Sequence, residues 1–383
     1  MNRMLAAVIG FILPSVVCLA ADSLTIKAVN RLPFARPSQT IELTARQLAG
    51  LGQIDLGRIH VKDASGKELL CQALDSDGDY NPDMVIFQAD FDPGQTRTFG
   101  VYGGEKWVYT KGHFKAYGRF VRERFDDFCW ENDRIAHRMY GKALETWIRE
   151  PLTSSAVDIW SKRTSRLVIN DWYMVDNYHV DTGEGADFYS AGPSRGCGGN
   201  GLWAAGRLWV SRNFVNSRVL ANGPIRVLFE LYYEPFDVNG VMVAEVKKIS
   251  LDAGSHLNHF TSIYNPSRPT SLVTGIGIKK AAAQQKESNQ QDGWLATWER
   301  MDKSAGWQGL AVIVDPGLIE GQTEDDRNLI VLAKVPEDNR ISYWAGFCWD
   351  KAGPYTDLKA WTQYVERFAR ASRSPIEVQI CED

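Results

Sequence analysis

Residues 171–199 combine side chains that can transfer protons with an unusual density of glycine, and the segment reads DWYMVDNYHVDTGEGADFYSAGPSRGCGG. Its candidate acids and bases are Tyr178, His179, Glu184 and Asp187, residue types that serve in general acid–base catalysis. Six glycines between positions 183 and 199 permit backbone conformations that other residues rarely adopt. The pattern predicts a long, ordered loop without helix or regular strand, and it makes this loop the candidate active site.

Further polar and aromatic residues in and before this loop could bind a substrate. The arginines are candidates for a substrate carboxylate, because a guanidinium group can pair with a carboxylate through two parallel hydrogen bonds. Each candidate also has a structural interpretation, since aspartate beside glycine commonly closes a turn and polar residues among aromatics can form buried ion pairs. The candidates for substrate binding are Glu131, Asn132, Arg134, Trp172, Asp181, Tyr189 and Arg195, and His137 is a further candidate acid or base.

Two groups of oxygen and nitrogen side chains could hold a metal ion. His179, Asp181 and Glu184 could form a clasp, although residues this close in a loop can also point apart. Residues 75–83, DSDGDYNPD, place oxygen side chains at every second position, as calcium loops do. Glycine at the fourth position and the lack of a glutamate at the twelfth favour a hairpin of Asx turns over calcium. The sequence therefore requires no cofactor, and a divalent metal stays an alternative.

The cysteines indicate neither a disulfide framework nor a zinc site. Cys18 lies in the apolar N-terminal stretch, and the other five are far apart without a CxxC pair. Cys197 lies inside the glycine-rich loop and could act as a nucleophile, but a buried, unreactive cysteine is the commoner outcome.

The N-terminal 20 residues predict a signal peptide, with Arg3, an apolar run over residues 4–17 and a small-x-small cleavage site at 18–20. We therefore expect an exported, periplasmic protein. Lipid attachment at Cys18 is the less favoured alternative, because Val17 is bulky for a lipoprotein site. No later stretch reaches the ~20 apolar residues of a membrane span. The net charge of −4 gives no indication of nucleic acid as a partner.

Strand patterns dominate the rest of the chain and predict an all-β fold. We expect an N-terminal β-domain over residues 21–104 and a catalytic domain over residues 105–383. Residues 358–371 predict a short C-terminal helix, since apolar side chains recur at spacings of three and four. Residues 281–293 predict an exposed loop. The predicted strands are residues 23–30, 84–91, 96–102, 202–210, 225–233, 242–251, 257–264, 272–278, 309–314, 329–335, 341–349 and 376–380.

Four segments carry a resemblance to a known family: residues 126–141, 178–187, 192–199 and 222–226. The second contains the pattern His-x-Asp-x-Gly-x-Gly-x-Asp, from His179 to Asp187. Together they resemble a domain-of-unknown-function family from polysaccharide utilisation systems of Bacteroidota, which includes uronate oligosaccharide (ulvan) dehydratases. The resemblance implies a galactose-mutarotase-like β-supersandwich. It also implies removal of water from a non-reducing-end uronic acid, so that the expected partner is a uronate-containing oligosaccharide.

Such a dehydration takes a proton from C5 of the sugar and expels the hydroxyl group at C4. It needs a base, an acid and a cation near the carboxylate, where enolate charge develops. The candidates are His179 or a tyrosinate as base, Tyr178, Glu184 or Asp187 as acid, and Arg134 or Arg195 as the cation. Residues 126–140 and 179–195 should then line one concave face. A mutarotase- or epimerase-like enzyme and a non-catalytic glycan-binding protein are the alternatives.

Overall fold

A computed structural model describes residues 23–149, 151–175, 177–301 and 305–381. The predicted signal peptide lies outside the described residues. Within them the chain forms five sheets of antiparallel strands and two α-helices. The prediction of an all-β, sandwich-like fold with a short C-terminal helix is confirmed.

The first seven strands build a small N-terminal unit with its own core. Strands β1, β7, β3 and β4 form one sheet, and β2, β6 and β5 form a second. Apolar side chains from both sheets, such as Ile26, Phe87 and Phe99, are fully buried between them. The strands are β1 Ser23–Val29, β2 Arg36–Thr44, β3 Ile59–Asp63, β4 Glu68–Leu69, β5 Cys71–Leu74, β6 Met84–Phe91 and β7 Thr96–Gly103.

A middle sheet follows, in the order β12-β11-β10-β9-β8. Its central strands are buried on both faces. One face, with Phe128, Trp130 and Met139, belongs to the main core, and the other lies against the glycine-rich segment. The strands are β8 Ala116–Val121, β9 Asp127–Asn132, β10 Ala136–Met139, β11 Asp158–Lys162 and β12 Gly185–Ala186.

Two larger sheets share the main core with this middle sheet. One has the order β14-β13-β19-β24-β23, and the other has the order β15-β16-β17-β18-β25-β22-β21-β20. In β17 burial alternates along the strand, because successive side chains point to opposite faces. The strands are β13 Cys197–Ala204, β14 Arg207–Trp209, β15 Asn216–Asn222, β16 Arg226–Val238, β17 Val241–Asp252, β18 Leu257–Pro266, β19 Val273–Lys279, β20 Gln285–Asn289, β21 Trp294–Arg300, β22 Trp307–Val314, β23 Ile319–Glu324, β24 Asn328–Lys334 and β25 Arg340–Trp349.

The two α-helices are α1 (Ile169–Trp172) and α2 (Leu358–Arg373). Asp357 caps α2 by accepting a hydrogen bond from the Ala360 amide. The helix buries Trp361 and Val365 against the eight-stranded sheet. The final strand, β26 (Glu377–Cys381), then pairs with β1, so the end of the chain completes the N-terminal sheet. Among the described helices, neither is long and apolar enough to cross a membrane.

Three local predictions were wrong. Residues 202–210 form parts of two strands instead of one, because Ala205 and Gly206 turn the chain with positive φ. Residues 281–293 include the edge strand β20. The segment 171–199 contains the end of α1, all of β12 and the start of β13. Part of its glycine content is explained by close backbone packing, since a Cβ on Gly185 would lie 2.0 Å from the Ser161 carbonyl oxygen.

Candidate active site

A pocket of about 360 Å³ lies beside the loop that follows α1, a volume within the ~300–1,000 Å³ typical of small-molecule sites. Three stretches of chain form it: the β8–β9 connection, the β10–β11 connection and the loop between α1 and β12. The lining residues are Glu123, Arg124, Phe125, Trp147, Tyr173, Val175, Tyr178 and His179.

A left-handed turn presents the first of these stretches to the pocket. Phe125 and Asp126 have φ of 50° and 63°, a conformation that is uncommon outside glycine and that recurs at functional sites. Gly141 makes room for the turn, because a Cβ there would lie 1.8 Å from the Asp126 carbonyl oxygen. The turn thereby places Arg124 and Phe125 in the pocket wall.

The hydroxyl group of Tyr178 is held by two guanidinium groups. Arg124 donates from Nε at 2.7 Å, and Arg138 donates from Nη1 at 3.1 Å. A phenol oxygen has two lone pairs and one hydrogen, so both lone pairs are engaged and the hydrogen points away from the arginines. The two hydrogen bonds thus fix the position of the Tyr178 hydroxyl group at the pocket.

The imidazole of His179 has a fixed tautomer when it is neutral. Its Nδ1 lies 2.9 Å from the main-chain oxygen of Asp187, which can only accept a hydrogen bond, so Nδ1 carries the hydrogen. The Nε2 lone pair is then the basic site. The side chain is 52% exposed, and the Asp187 amide donates back to the Tyr178 carbonyl oxygen at 3.0 Å. These two bonds hold Tyr178 and His179 together at the pocket.

Beneath the pocket lies a buried carboxyl cluster, which consists of Asp127, Asp158 and Asp187 around Arg138. Arg138 donates from Nε to Asp158 at 2.7 Å and from Nη2 to Asp187 at 3.0 Å, and its Nη1 lies 3.9 Å from Asp127. Tyr140 adds a hydrogen bond to Asp158 at 2.8 Å. All of these side chains are almost fully buried. The cluster therefore fixes the guanidinium group that supports Tyr178.

Burial changes the protonation of this cluster. It raises the pKa of Asp127 to about 7, against the opposing effect of Arg138 and Arg124. It also raises the pKa of Asp187 well above its ordinary value, again opposed by Arg138. Three carboxyl groups around one guanidinium group would otherwise leave uncompensated negative charge in the interior, which is costly.

We expect Asp127→Asn to flatten the dependence of stability on pH. The folded-state pKa of Asp127 is raised, so its contribution to stability is full below about pH 4 and is lost as the pH rises towards 7. One such group changes the free energy of unfolding by up to about 1.4 kcal/mol per pH unit in that window. Denaturant unfolding from pH 4.5 to 7.5 would measure the slope, with the exposed Asp326→Asn as control. An unchanged slope in Asp127→Asn would contradict the raised pKa.

The structure brings three of the predicted acids and bases together. Tyr178 and His179 line the pocket, and Asp187 lies directly behind them. The expected meeting of residues 126–140 with 179–195 occurs through Arg138 and Asp187. Glu184 is placed differently, because it forms an ion pair with Arg166 outside the pocket lining.

The predicted substrate ligands on and near β9 have structural roles. Glu131 pairs with the buried Lys162 at 2.7 Å and accepts hydrogen bonds from two main-chain amides at the start of α1. The Asn132 side chain donates to main-chain oxygens and accepts from the Arg134 amide. The Arg134 side chain lies 3.9 Å from Asp133, outside the pocket lining. Arg134 therefore lies apart from this pocket, and its role as a carboxylate ligand stays a prediction.

Other candidates are buried in the core. His137 stacks on Trp130, and burial lowers its pKa to about 3, so it stays neutral. Arg195 is 2% exposed and donates a hydrogen bond to Ser155, so it lies in the core, outside the pocket lining. Cys197 is buried with a raised pKa, which excludes it as a nucleophile.

The last three predicted substrate ligands also lie outside the pocket lining. Trp172 stacks on Trp160. Tyr189 is 7% exposed. Asp181 pairs with Arg163 and accepts hydrogen bonds from loop amides.

The two candidate metal sites also differ in the structure. The clasp of His179, Asp181 and Glu184 does not form, since these side chains bind Asp187, Arg163 and Arg166. In the described part of the chain, one group of three side chains has its potential metal-ligand atoms within 4.8 Å of one another, and it consists of Asp75, Asp77 and Asp83. Asp75 accepts hydrogen bonds from the amides of Gly78 and Tyr80, as expected for Asx turns. Calcium binding there stays a prediction.

Sequence reasoning missed Arg124, Phe125, Trp147 and Arg138. Arg138 carries a usable signal, because alternation along β10 places it on the face opposite to His137. Arg124 and Trp147 have no comparable local signal. Their positions depend on how two connections between strands meet in space.

The fold and the pocket together define an all-β sandwich protein with an arginine-supported tyrosine and a histidine in one pocket. The chain belongs to the DUF4861 family, a domain of unknown function whose profile matches residues 29–378. It is 29% identical to "Uncharacterized protein P7" of Formosa agariphila over an alignment of 387 positions, which covers 95% of each chain.

Two solved structures share the fold at 10% sequence identity. One is an alpha-mannosidase from Enterococcus faecalis V583, with a TM-score of 0.50, and the match covers 95% of this chain and 46% of that one. The other is a protein in the glycosyl hydrolase family 38 from Enterococcus faecalis, with a TM-score of 0.52, and the match covers 95% and 48% of the two chains. The chain thus spans about half the length of these structures, and the likeness concerns the fold.

Proposed function

We propose that this protein is an exported, periplasmic enzyme that removes water from a non-reducing-end uronic acid of an oligosaccharide, such as one derived from ulvan. The observation that carries the proposal is the pairing of Tyr178, held by Arg124 and Arg138, with His179 in its Nδ1–H tautomer. This pair offers an acid and a base in one pocket. The likeness to two glycoside hydrolase structures agrees with a sugar as substrate.

Each requirement of the dehydration has a side chain in the pocket. His179 Nε2 takes the C5 proton. Tyr178 Oη donates a proton to the C4 hydroxyl group as it leaves, and the two guanidinium groups stabilise the resulting phenolate. Arg124 also lines the pocket and supplies the cation for the substrate carboxylate, whose negative charge grows as the C5 proton is removed.

An aromatic platform in the same pocket suits the apolar face of a sugar ring. Trp147 stacks on Phe125 with ring centroids 4.3 Å apart, and the Arg124 guanidinium lies 5.0 Å from the Trp147 ring centroid. Pockets that bind small molecules commonly combine such apolar walls with a few polar groups that fix orientation. The platform thus adds a sugar-binding surface next to the acid and base.

The deciding experiment is a screen of saturated uronate-ended oligosaccharides, including ulvan fragments, with the purified mature protein. Dehydration yields a product lighter by one water that absorbs in the ultraviolet. We expect both signals for at least one uronate-ended substrate and neither for the matched neutral oligosaccharide. Mutarotation would change optical rotation alone, and binding without turnover would change neither the mass nor the absorbance of the sugar. Either result would refute the dehydratase.

We expect Trp147→Ala to raise KM for an oligosaccharide substrate by roughly tenfold while kcat changes little, because the platform contacts the sugar before and during the reaction. Tyr80→Ala is the matched control, since Tyr80 is an aromatic residue that is 87% exposed in the N-terminal unit. Initial rates over a range of substrate concentrations separate the two constants. An unchanged KM in Trp147→Ala would remove the platform from substrate binding.

A further inference from the structure

We propose that this pocket eliminates water with acid and base on one face of the sugar ring, and that it therefore selects a uronate with the gluco configuration at C4 and C5. The inference rests on the proposed function and specifies its substrate. It follows from the relative position of Tyr178 and His179, from the other titratable groups of the pocket, and from the stereochemistry of the sugar.

Tyr178 and His179 are adjacent in sequence and act from the same side. In a regular strand, consecutive side chains point to opposite faces. Here both line the pocket, and their ring centroids are 4.6 Å apart with planes inclined by 38°. The hydrogen bonds of each residue to the main chain of Asp187 hold this arrangement.

The other titratable groups of the described pocket lining are poor candidates for a second acid on another wall. Glu123 forms an ion pair with Arg119, and the hydrogen bond from Arg119 lowers its pKa. The Tyr173 hydroxyl group contacts the Cys129 thiol at 2.6 Å, and burial raises the pKa of Tyr173. Arg124 carries a permanent positive charge. The acid and the base thus both come from the Tyr178–His179 pair.

Sugar stereochemistry decides which uronates such a pair can serve. In D-glucuronate the C5 hydrogen and the C4 oxygen lie on the same face of the ring. In D-galacturonate, the C4 epimer, and in L-iduronate, the C5 epimer, they lie on opposite faces. A base and an acid that stand side by side can reach both groups only in the gluco case.

The step balances within these residues. His179 Nε2 takes the C5 hydrogen as a proton, and the electrons of the C5–H bond form the C4=C5 double bond. The C4–O bond breaks, and the leaving hydroxyl group departs as water with the proton of Tyr178. His179 is left as imidazolium and Tyr178 as phenolate. Transfer of one proton from His179 to Tyr178, directly or through water, restores the starting state.

The test compares three uronides that differ only in configuration: a glucuronide, the corresponding galacturonide and the corresponding iduronide, each linked to the same neighbouring sugar. All three give the same unsaturated product, because C4 and C5 become trigonal. We expect kcat/KM for the glucuronide to exceed the other two by at least roughly 100-fold, the lower range of what a general acid contributes. Initial rates are followed by absorbance, and the product is identified by mass.

The possible outcomes separate the inference from the function on which it rests. Equal or faster turnover of the galacturonide or iduronide would overturn the inference and leave the dehydratase standing. Lack of product from all three would overturn both. Calorimetric titration of His179→Gln with the same three uronides provides the control for binding. We expect dissociation constants within roughly tenfold of one another, and a preference that lies wholly in binding would overturn the same-face mechanism.

Discussion

His179→Gln should lower kcat of the dehydration by about 10²–10⁴-fold, the usual contribution of a general base. Glutamine has nearly the same length and can donate a hydrogen bond to the Asp187 main-chain oxygen, as Nδ1 of His179 does at 2.9 Å. It has no basic nitrogen, so the chemical step alone is lost. Because the His179 side chain is 52% exposed, we expect little change in the thermal unfolding midpoint.

His113→Gln is the matched control for this variant. His113 caps a short helical turn before β8 by accepting a hydrogen bond from the Thr110 amide, and it lies outside the pocket lining. We expect its kcat to stay within a factor of about two of the unmodified protein, since it contributes to local structure only. If His179→Gln retained a rate in the same range as His113→Gln, His179 could not be the base.

The strands of the sandwich could be predicted because their apolar side chains alternate or form short runs. β6, Met84–Phe91, matches its predicted range, and β17 and β18 differ from theirs by one or two residues. Helix α2 was predicted from the spacing of its apolar residues, and the structure buries Trp361 and Val365 as that spacing requires. Local patterns are sufficient here because each element has one face towards a core.

The middle sheet resisted prediction because both of its faces are buried. Polar residues on β9 and β10 then signal either a functional site or an internal network, and alternation alone cannot distinguish the two. The sequence reasoning selected His137, whereas the register places it beside Trp130 on the core face. Its neighbour Arg138 faces the glycine-rich loop and reaches Tyr178. Two adjacent residues of β10 thus face opposite sides of the sheet: His137 lies in the core, and Arg138 holds the hydroxyl group of Tyr178.

Position also explains why the sequence pointed to Arg134 and Arg195 and not to Arg124, which lines the pocket. Arg195 was selected for its place in the glycine-rich segment. The end of that segment is buried in the core, because β13 begins there at Cys197. Arg124 reaches the pocket through the left-handed turn at Phe125 and Asp126, and two consecutive non-glycine residues with positive φ have no reliable sequence pattern. Contacts between distant segments determine the pocket, and a single sequence does not display them.

Tyr178→Phe should lower kcat by about 10²–10⁴-fold on the substrate with a hydroxyl group at C4, because phenylalanine keeps the ring but has no proton to donate. The matched substrate is a 4-deoxy-4-fluoro glucuronide, from which fluoride departs without being protonated. On that substrate we expect Tyr178→Phe to retain activity within a few-fold of the unmodified protein, as measured with a fluoride-selective electrode. His179→Gln should be impaired on both substrates, because each requires removal of the C5 proton.

This pairing of variants with leaving groups separates the acid from a merely structural tyrosine. Tyr178 Oη accepts hydrogen bonds from Arg124 and Arg138, so its removal also leaves two guanidinium groups without that acceptor, and a loss of activity alone would be ambiguous. Disordered arginines would slow the turnover of both substrates. A missing proton donor would slow only the turnover of the 4-hydroxy substrate, whose leaving group must be protonated. Equal loss of activity on the fluoro and hydroxy substrates would therefore exclude Tyr178 as the general acid.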